Sequence, residues 1–399
     1  MDAVTLLDGL RVVEVALLAP NMVGMHLADL GADVIKVEEP GRGDYTRSVG
    51  AAQQGGLSYL HLRWNRGKRS VAIDLRTDEG AAVFLDLVRD SEVVIEGLRA
   101  GALARRGLGF EELSAINPAL VFCAVSGFGQ TGPYRDLATH GVAYDAYAGL
   151  ARPEQTADGF PAIPSRYFDI GTQAGALYSA LAVVAAVNRA RATGKGAFID
   201  VAQADAAVAW NAGRVDSLLN GGGGDAAGGA GLGAGVRYQY YATADDRHIL
   251  FQASERHFFE RFCHAIERDD LLRPGSGAEF GEHARGDVAL RRELAGIFAT
   301  RTQAEWVSFF IEHDVPGAPV NTARELVDDP QFRDRSRVID QDHPVAGPLR
   351  LLATPIRTGE PTEPTGPAPA LGEHTDEVLA ELGYDDAKIA ALRGAHAVD

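Results

Sequence analysis

The first 200 residues alternate between two kinds of hydrophobic pattern. Short runs rich in β-branched residues are typical of buried strands, whereas apolar residues that recur every three or four positions are typical of one face of a helix. The predicted strands are residues 11–15, 34–37, 70–74, 93–95 and 120–125, and the predicted helices are residues 20–30, 79–89, 110–113 and 170–184. A strand, a helix and a second strand within about 30 residues form a βαβ unit, which implies a parallel sheet. We therefore expect residues 1–200 to form a large, doubly wound α/β domain.

The pattern changes after residue 200. A helical pattern runs from Asp200 to Leu219, and nine of the fifteen residues from Gly221 to Gly235 are glycine. We expect residues 201–235 to be a helical linker followed by a mobile loop, which is either a plain connection or a lid over a site. Two strands at 238–243 and 248–251 then precede helices at 255–266 and 291–299. This order predicts a small α+β domain over residues 236–325.

The last part of the chain is predicted to return to the first domain. Residues 326–370 are expected to be a linker, because their proline-rich part at 344–369 favours an extended chain. Residues 371–399 form a tail with two helical patterns, at 375–382 and 386–392.

The composition narrows the classes of partner. The 399 residues carry a formal net charge of -17, and an acidic surface repels nucleic acids and anionic membranes. Cys123 and Cys263 are the two cysteines, which is too few for a disulfide framework or a zinc pattern, so we expect no metal site. We recognise no secretory signal and expect no apolar run of membrane-spanning length, which predicts a cytoplasmic protein.

One carboxylate, Asp169, stands between apolar residues at the start of the predicted helix at 170–184. Aspartate is a favoured N-cap residue, because its side chain satisfies a backbone N–H of the first helical turn. The small residues Gly171, Ala174 and Gly175 would also let a bulky ligand approach this carboxylate. The pattern therefore leaves two interpretations of Asp169 open, a structural cap and a catalytic carboxylate.

Residues 127–132 match the G-x-G-x-x-G pattern of dinucleotide-binding sites and follow a predicted strand. In such a site the glycines open a helix, but Pro133 and the polar residues 134–136 follow here without a helical period. We therefore do not expect a nicotinamide or flavin cofactor. A glycine-rich turn at the carboxyl end of a strand still lies where open α/β sheets bind ligands, which makes Gly129 and Gln130 candidate binding residues.

Separate blocks along nearly the whole chain match one enzyme family. They lie at residues 7–14, 27–44, 68–75, 126–133, 315–320 and 371–379. With these blocks the chain resembles the family III CoA-transferases, a CaiB/BaiF-like group that includes formyl-CoA transferase and has the α-methylacyl-CoA racemases as close relatives. The resemblance implies a Rossmann-like large domain and an interlocked homodimer. It also implies that residues 371–399 pack on the large domain.

The family resemblance implies a nucleophilic role for Asp169. Transferases of this family use the aspartate of a Gly-Asp-x-x-x-Gly block, and Asp169 stands at the matching position, although Phe168 replaces the leading glycine. Such a carboxylate attacks the thioester carbonyl to form a mixed anhydride, and the released CoA thiolate then forms an aspartyl-CoA thioester. CoA is thus a substrate rather than a resident cofactor, and the partners are an acyl-CoA and a carboxylic acid.

CoA carries phosphates, so basic side chains are expected to hold it. By the resemblance, Arg47 matches an arginine near the nucleotide, and Arg99 and Arg105 belong to a block that contacts the CoA moiety. Lys68 and Arg69 are further candidates. Two departures in the Arg99 block are Gly97-Leu98 in place of Asn-Phe and Ala100 in place of a proline. For each arginine, an ordinary surface charge stays the alternative.

His140 keeps a second activity open. Many transferases have a tyrosine at this position, whereas the racemases have a histidine that acts with the aspartate matching Asp169. Glu255 stands where racemases carry a glutamate that orients this histidine, but Gly141 replaces the aspartate that normally follows it. We predict a CoA-transferase; the alternatives are a 2-methylacyl-CoA racemase that uses His140 and Asp169 as its acid–base pair and a catalytically silent CoA-binding protein.

Overall fold

The computed structural model describes residues 5–50, 53–223, 233, 235–272, 283–336, 338–357 and 366–399. The chain divides into two compact units. Unit 1 comprises Met1–Ala212 and Arg337–Asp399, and unit 2 comprises Gly213–Ser336. Each unit is described by itself.

The described residues contain fifteen strands, several of them only two residues long. They are β1 Arg11–Ala16, β2 Asp33–Glu38, β3 Gln53–Gln54, β4 Leu57–Ser58, β5 Lys68–Ala72, β6 Val93–Gly97, β7 Val121–Ser126, β8 Glu154–Gln155, β9 Pro161–Ala162, β10 Ala197–Ala202, β11 Tyr238–Ala242, β12 His248–Gln252, β13 Gly317–Val320, β14 Val338–His343 and β15 Gly347–Leu352.

The α-helices in the same residues are numbered in chain order. They are α1 Asn21–Ala28, α2 Tyr59–Trp64, α3 Asp78–Arg89, α4 Phe110–Ile116, α5 Val142–Tyr147, α6 Ile170–Thr193, α7 Gln203–Trp210, α8 Ala212–Leu219, α9 Arg256–Ala265, α10 Val288–Phe298, α11 Gln303–Glu312, α12 Ala323–Leu326, α13 Pro330–Arg335, α14 Thr375–Glu381 and α15 Asp386–Gly394.

A six-stranded parallel sheet is the centre of unit 1. Its spatial order is β10-β7-β6-β1-β2-β5, and every neighbouring pair is parallel. Numbered along the chain, these six strands have the order 3-2-1-4-5-6, which is the arrangement of a doubly wound sheet. The prediction of a mixed α/β protein with a parallel central sheet is confirmed. In such a sheet ligands bind where the strand order reverses, here at the carboxyl ends of β1 and β6.

Both faces of this sheet are covered, so its strands are buried on both sides, and charged residues that they carry, such as Glu14, Lys36 and Lys68, are buried with them. One apolar cluster contains residues of α3, α4 and the C-terminal helices α14 and α15, and the other contains residues of α1 and α6. The C-terminal segment adds Val378, Leu379 and Val398 to the first cluster, and Val398 also forms an isolated bridge with Ile73. The end of the chain therefore belongs to the core of unit 1.

Unit 2 is an antiparallel sheet of β11, β12 and β13 packed against helices. The predicted hairpin of β11 and β12 is present. The core of unit 2 is rich in aromatic residues, and ring contacts connect Phe251 to Phe262, Phe262 to Phe298, and Phe298 to Trp306. Of the predicted glycine-rich loop at 221–235, residues 224–232 and 234 lie outside the described residues, so its role as a lid stays a prediction.

Two predictions about local structure were wrong. Asp200 does not begin a helix, because Ala197–Ala202 forms the edge strand β10 and helix α7 begins at Gln203. The proline-rich residues 344–352 are not an extended strap, because β15 pairs with β14 in a hairpin. In β15 alternate residues, Leu349 and Leu351, are buried, which is the two-residue period of a strand with one covered face.

Helix α6 corrects a third expectation. Its 24 residues, with a mean hydropathy of 1.6 over an 18-residue window, are long and apolar enough to cross a membrane by length and composition alone. Half of that window is buried, and the buried residues include Ala176, Val183 and Val187 in the core that α1 shares. A core helix of an α/β unit passes the same test of length and composition, so this is weak evidence for a membrane.

Candidate active site

A cavity of about 630 Å³ opens at the carboxyl ends of β1 and β6, where the strand order reverses. Its walls are the loop at residues 17–20 after β1, the loop at 97–102 after β6, the end of β7 at 125–127 and the segment 135–141. Three arginines, Arg99, Arg105 and Arg135, line it. In a chain with a net charge of -17, this local group of cations suits an anionic ligand.

A second cavity of about 390 Å³ continues along the same edge of the sheet, at the carboxyl ends of β1, β2 and β5. The two cavities share Leu17, Tyr45 and Leu98, so they are adjacent. Arg42, Arg76 and Arg106 line the second one. These three arginines and Arg135 were not named as candidate CoA-binding residues from the sequence, because no sequence pattern around them indicates a binding site.

Two polar side chains accept hydrogen bonds from the backbone of the turn that carries Arg99 and Arg105. Buried Glu96, at the end of β6, accepts a hydrogen bond from Leu103 N at 2.8 Å, and Gln130 Oε1 accepts one from Gly101 N at 3.0 Å. Burial raises the pKa of Glu96. The Gln130 backbone N–H in turn donates to the Asp200 carboxylate at 3.0 Å. Gln130 therefore positions the arginine-bearing turn, and neither it nor Gly129 lines the two cavities.

The structure gives the other predicted CoA-binding cations protein partners. Arg47 pairs with Glu38 at 2.6 Å and donates to the Pro369 carbonyl at 2.9 Å. Arg69 pairs with Asp33 and Glu381, both at 2.6 Å. Neither lines the cavities, and direct phosphate binding by them stays a prediction.

The position of Lys68 contradicts the prediction that this residue binds CoA. Its side chain is fully buried and its Nζ is 2.5 Å from Glu14 Oε2, so it has no contact with a solvent-accessible ligand. Its Nζ also donates to the Asn21 carbonyl at 2.8 Å. Burial lowers the pKa of Lys68 to about 8, although Glu14 opposes the effect, so the ammonium form persists at neutral pH.

Lys36 completes a buried cluster of four charges with Lys68, Glu14 and Asp44. Its Nζ is 3.1 Å from Asp44 and donates to the Ala16 carbonyl at 2.7 Å. Burial opposes the charge of Lys36, but the neighbouring carboxylates outweigh burial and raise its pKa. Since Ala16 and Asn21 flank the cavity loop at residues 17–20, the two lysines fix both ends of that loop.

Asp169 lies at the N-terminus of α6, and the structure distinguishes its two interpretations. The residue is half-buried and stands at the N-cap position, but its side chain caps no backbone N–H. One of its oxygens accepts a hydrogen bond from the Thr172 hydroxyl, and the other lies 3.2 Å from the Tyr167 hydroxyl. The structural explanation for an aspartate at this position, capping, is therefore absent.

The cap is provided by Asp145, from helix α5. This carboxylate is fully buried, and its Oδ1 accepts the Gly171 N–H at 3.0 Å. Its Oδ2 accepts the Tyr167 hydroxyl at 2.7 Å, which is shorter than the contact from Tyr167 to Asp169. Burial raises the pKa of Asp145, and the Asp169 charge adds to the increase. Burial and the two carboxylates together also raise the pKa of Tyr167.

Asp169 is next to the arginine-lined cavity without being one of its lining residues. The link is formed by Tyr144 and Gln203, which both line the cavity and both approach α6. A Cβ at Gly171 would lie 2.8 Å from Tyr144 Cβ and 3.1 Å from the Gln203 carbonyl oxygen. Only glycine fits here, so the first turn of α6 packs directly behind the cavity wall.

Of the residues in the racemase interpretation, His140 and Asp169 lie in unit 1, whereas Glu255 lies in unit 2. His140 is an exposed residue at the rim of the first cavity. Gly141 follows it with φ 50° and ψ -115°, a conformation that an aspartate would adopt only with strain. Glu255 lies in unit 2, at the N-cap position of α9, and its side chain makes no capping hydrogen bond. Within the described residues, no group of three or more His, Cys, Asp or Glu side chains could hold a metal ion.

The comparisons with known proteins point to one enzyme family. The model of CoA-transferase family III matches residues 7–375. The chain is 35% identical to the succinate–glutarate CoA-transferase of Agrobacterium fabrum, over 94% of this chain and 95% of the relative. It is 31% identical to human succinyl-CoA:glutarate CoA-transferase, over 100% of this chain and 91% of the relative. A crystal structure of a CaiB/BaiF family protein from Brucella suis superimposes with a TM-score of 0.77 at 32% identity, over 95% of this chain and 99% of that one.

The chain therefore belongs to CoA-transferase family III. The predicted activity, transfer of CoA from an acyl-CoA thioester to a carboxylic acid, is confirmed at the level of this enzyme class.

Proposed function

We propose that Asp169 is the nucleophile of this CoA-transferase. The observation that carries the proposal is that its carboxylate stands at the N-terminus of α6 without capping the helix. An aspartate that does no capping there retains lone pairs for attack on an acyl carbon. The positive end of the dipole of the 24-residue helix α6 favours negative charge at this point, both on the carboxylate and on the oxyanion that forms during attack.

The reaction proceeds in two exchanges at Asp169. An Asp169 oxygen forms a bond to the thioester carbonyl carbon, the C–S bond breaks, and CoA leaves as the thiolate, which gives a mixed anhydride. The thiolate then attacks the Asp169 carbonyl carbon and displaces the donor acid as a carboxylate, which gives an aspartyl-CoA thioester. The acceptor carboxylate repeats the sequence in reverse, and Asp169 is regenerated as a carboxylate.

We propose that the CoA moiety lies along the two adjacent cavities at the carboxyl edge of the sheet. Arg99, Arg105 and Arg135 would pair with phosphate oxygens in the first cavity, and Arg76 and Arg106 would contribute from the second. The relatives named for succinyl-CoA and glutarate suggest short dicarboxylic acids as substrates.

We also propose that the enzyme is a homodimer. Helix α6 exposes four large apolar side chains, Leu177, Tyr178, Leu181 and Val184. A contiguous group of large apolar side chains on one helix face is typical of a protein–protein contact. Light scattering at micromolar concentration should give about twice the 42.3 kDa mass of one chain, and a mass of 42.3 kDa would contradict the proposal.

A trapping experiment tests the role of Asp169. The enzyme is incubated with succinyl-CoA, and separately with succinyl-CoA and glutarate, then quenched with hydroxylamine or borohydride. We expect a mass change on the peptide that contains Asp169, loss of turnover in Asp169→Ala, and unchanged turnover in Asp205→Asn, an exposed carboxylate of α7. Absence of any adduct during active turnover would exclude the proposed intermediate.

The same preparation tests the racemase alternative. A racemase exposes the α-hydrogen of a 2-methylacyl-CoA to solvent, so incubation in deuterated water would introduce α-deuterium. A transferase leaves that hydrogen in place. We expect no deuterium uptake; rapid uptake that disappears in His140→Ala would establish racemisation instead.

A further inference from the structure

Four side chains form a connected group at the start of α6. Asp145 accepts the Gly171 N–H at 3.0 Å and the Tyr167 hydroxyl at 2.7 Å. The same Tyr167 hydroxyl lies 3.2 Å from Asp169, whose other oxygen accepts the Thr172 hydroxyl. Two carboxylates therefore face one phenol that has a single proton to donate.

The position of Asp145 is fixed from both its backbone and its side chain. It belongs to α5, and its backbone carbonyl accepts hydrogen bonds from Leu150 N at 2.8 Å and Ala151 N at 3.2 Å. The residue has no solvent exposure. A buried carboxylate without a cationic partner costs free energy unless donors satisfy it, and the α6 N-terminus and Tyr167 are those donors.

We propose that Asp145 is the positioning residue of the nucleophile: it caps α6 in place of Asp169 and holds the Tyr167 proton away from the Asp169 carboxylate. This inference rests on the proposed role of Asp169. Every hydrogen bond that a carboxylate accepts stabilises its charged form and makes it a weaker nucleophile. By taking both the Gly171 N–H and the shorter Tyr167 contact, Asp145 removes two such donors from Asp169.

The charge of Asp145 acts in the same direction. Attack converts the Asp169 carboxylate into an uncharged anhydride, so repulsion between the two carboxylates is relieved as the new C–O bond forms. Asp145 carries its charge in a site without bulk water, where such repulsion is strong. The direction of its pKa, raised by burial and by the Asp169 charge, agrees with this arrangement.

The substitution Asp145→Asn separates capping from proton placement. The asparagine Oδ1 still accepts the Gly171 N–H, but its amide donates to the Tyr167 oxygen and turns the phenolic proton toward Asp169. We expect the rate of acyl-Asp169 formation, measured by rapid-quench trapping with succinyl-CoA, to fall by about 10- to 100-fold. The KM for succinyl-CoA and the melting temperature should change little, because the cap and the CoA-binding arginines are kept.

A double substitution gives a result that a merely structural role would not produce. In Asp145→Asn with Tyr167→Phe, the phenolic donor is gone and only the charge effect of Asp145 is lost, so Asp145→Asn should lower the acylation rate clearly less in the Tyr167→Phe background than in the wild type. A structural role for both residues predicts instead that the two losses multiply. Asp205→Asn is the matched control for removal of one carboxylate.

Melting temperatures test the capping claim without using activity. Asp145→Ala removes the cap and should lower the melting temperature, whereas Asp169→Ala should leave it nearly unchanged. Equal changes in both variants, or a larger loss in Asp169→Ala, would overturn the claim. If Asp145→Ala does not fold while Asp169→Ala does, the same claim is supported.

The outcomes distinguish this inference from the proposed function. An adduct at Asp169 in the unmodified enzyme, together with an acylation rate in Asp145→Asn equal to wild type or losses that multiply, would overturn the role of Asp145 alone. Absence of the adduct in the unmodified enzyme would overturn the nucleophile and this inference with it.

Discussion

Replacing Lys36 by methionine is expected to unbalance the charge buried beneath the cavity loop. Lys36, Lys68, Glu14 and Asp44 all have side chains without solvent exposure, and at neutral pH their charges sum to zero. In Lys36→Met the sum becomes -1, and Asp44 loses the ammonium that lies 3.1 Å away. Removing one partner of a buried ion pair typically costs about 3–5 kcal/mol, so we expect a loss of about 4 kcal/mol in the free energy of unfolding of unit 1.

Burial and the ammonium of Lys36 act in opposite directions on Asp44. Burial alone would raise the pKa of Asp44, but the Lys36 charge and the hydrogen bonds from Thr46 and Asn21 lower it to about 2. Without Lys36 the burial effect dominates and the pKa of Asp44 should rise above its ordinary value. The variant should therefore be least stable, relative to wild type, at neutral pH and regain part of the difference as Asp44 becomes protonated in acid.

Urea unfolding at pH 7 of four proteins measures the effect: wild type, Lys36→Met, Asp44→Asn and the double variant. The double variant restores a buried charge of zero, so adding Lys36→Met to Asp44→Asn should cost only about 1–2 kcal/mol, largely for the lost hydrogen bond to the Ala16 carbonyl. Exposed Lys195→Met should change stability by less than about 0.5 kcal/mol. Because the Ala16 bond fixes one end of the loop at residues 17–20, the Kd for CoA should also rise in Lys36→Met.

The reasoning would be refuted if Lys36→Met lowered the free energy of unfolding by the same amount in the wild type and in Asp44→Asn. Such a result would mean that the cluster does not behave as balanced charges and that Lys36 contributes mainly by packing. A loss below about 1 kcal/mol in the single variant would refute it equally, because no buried carboxylate would then have been left uncompensated.

Three further results are expected. Arg105→Ala should raise the KM for acyl-CoA by about 10-fold or more with a smaller change in kcat, because it removes a side chain that pairs with a phosphate. Steady-state kinetics measure this effect, and Arg350→Ala, which removes an exposed arginine, is the control. Burial and the Arg47 charge lower the pKa of His61 to about 3, so the folded protein keeps this histidine neutral and loses stability as the pH falls below about 6.5. The loss should reach about 3 kcal/mol near pH 4. Urea midpoints measured from pH 4 to 7 should show this fall, and His61→Gln should make it smaller. His140→Ala should reduce transferase turnover by less than about 100-fold, because His140 makes at most a supporting contact from the cavity rim, and a larger loss would assign it a direct role.

The sheet was predictable where short apolar runs mark its strands. Strands β6 and β7 contain unbroken apolar runs at 93–95 and 121–125, and β1 and β2 are rich in valine and isoleucine around the buried charges Glu14 and Lys36. Helices cover both faces of the sheet, and runs of this kind are visible in a single sequence. Strand β10 is an edge strand whose residues alternate between partly exposed and exposed, and it leads directly into α7. Its sequence therefore resembled the beginning of the helix, and only the pairing with β7 identifies it.

The sequence predicted those residues of the candidate site whose role follows from the chemical type of the side chain. Arg99 and Arg105 were selected as cations in a matching block, and they do line the cavity. Lys68 was selected for the same reason, but whether a cation faces a ligand or a buried carboxylate depends on its strand face and on Glu14, which is distant in sequence. Spacing along one chain does not reveal such tertiary partners.

Asp169 shows how a local rule fails at a site where function competes with it. An aspartate directly before a 24-residue helix should cap that helix, and its carboxylate oxygens would then accept hydrogen bonds from backbone N–H groups. A second aspartate, Asp145, which lies 26 residues before Gly171 in sequence, accepts the Gly171 N–H instead. Burying that second carboxylate carries a cost of desolvation and of repulsion, which stability alone would not favour. The arrangement is understandable if the carboxylate of Asp169 has to stay available for a bond to carbon.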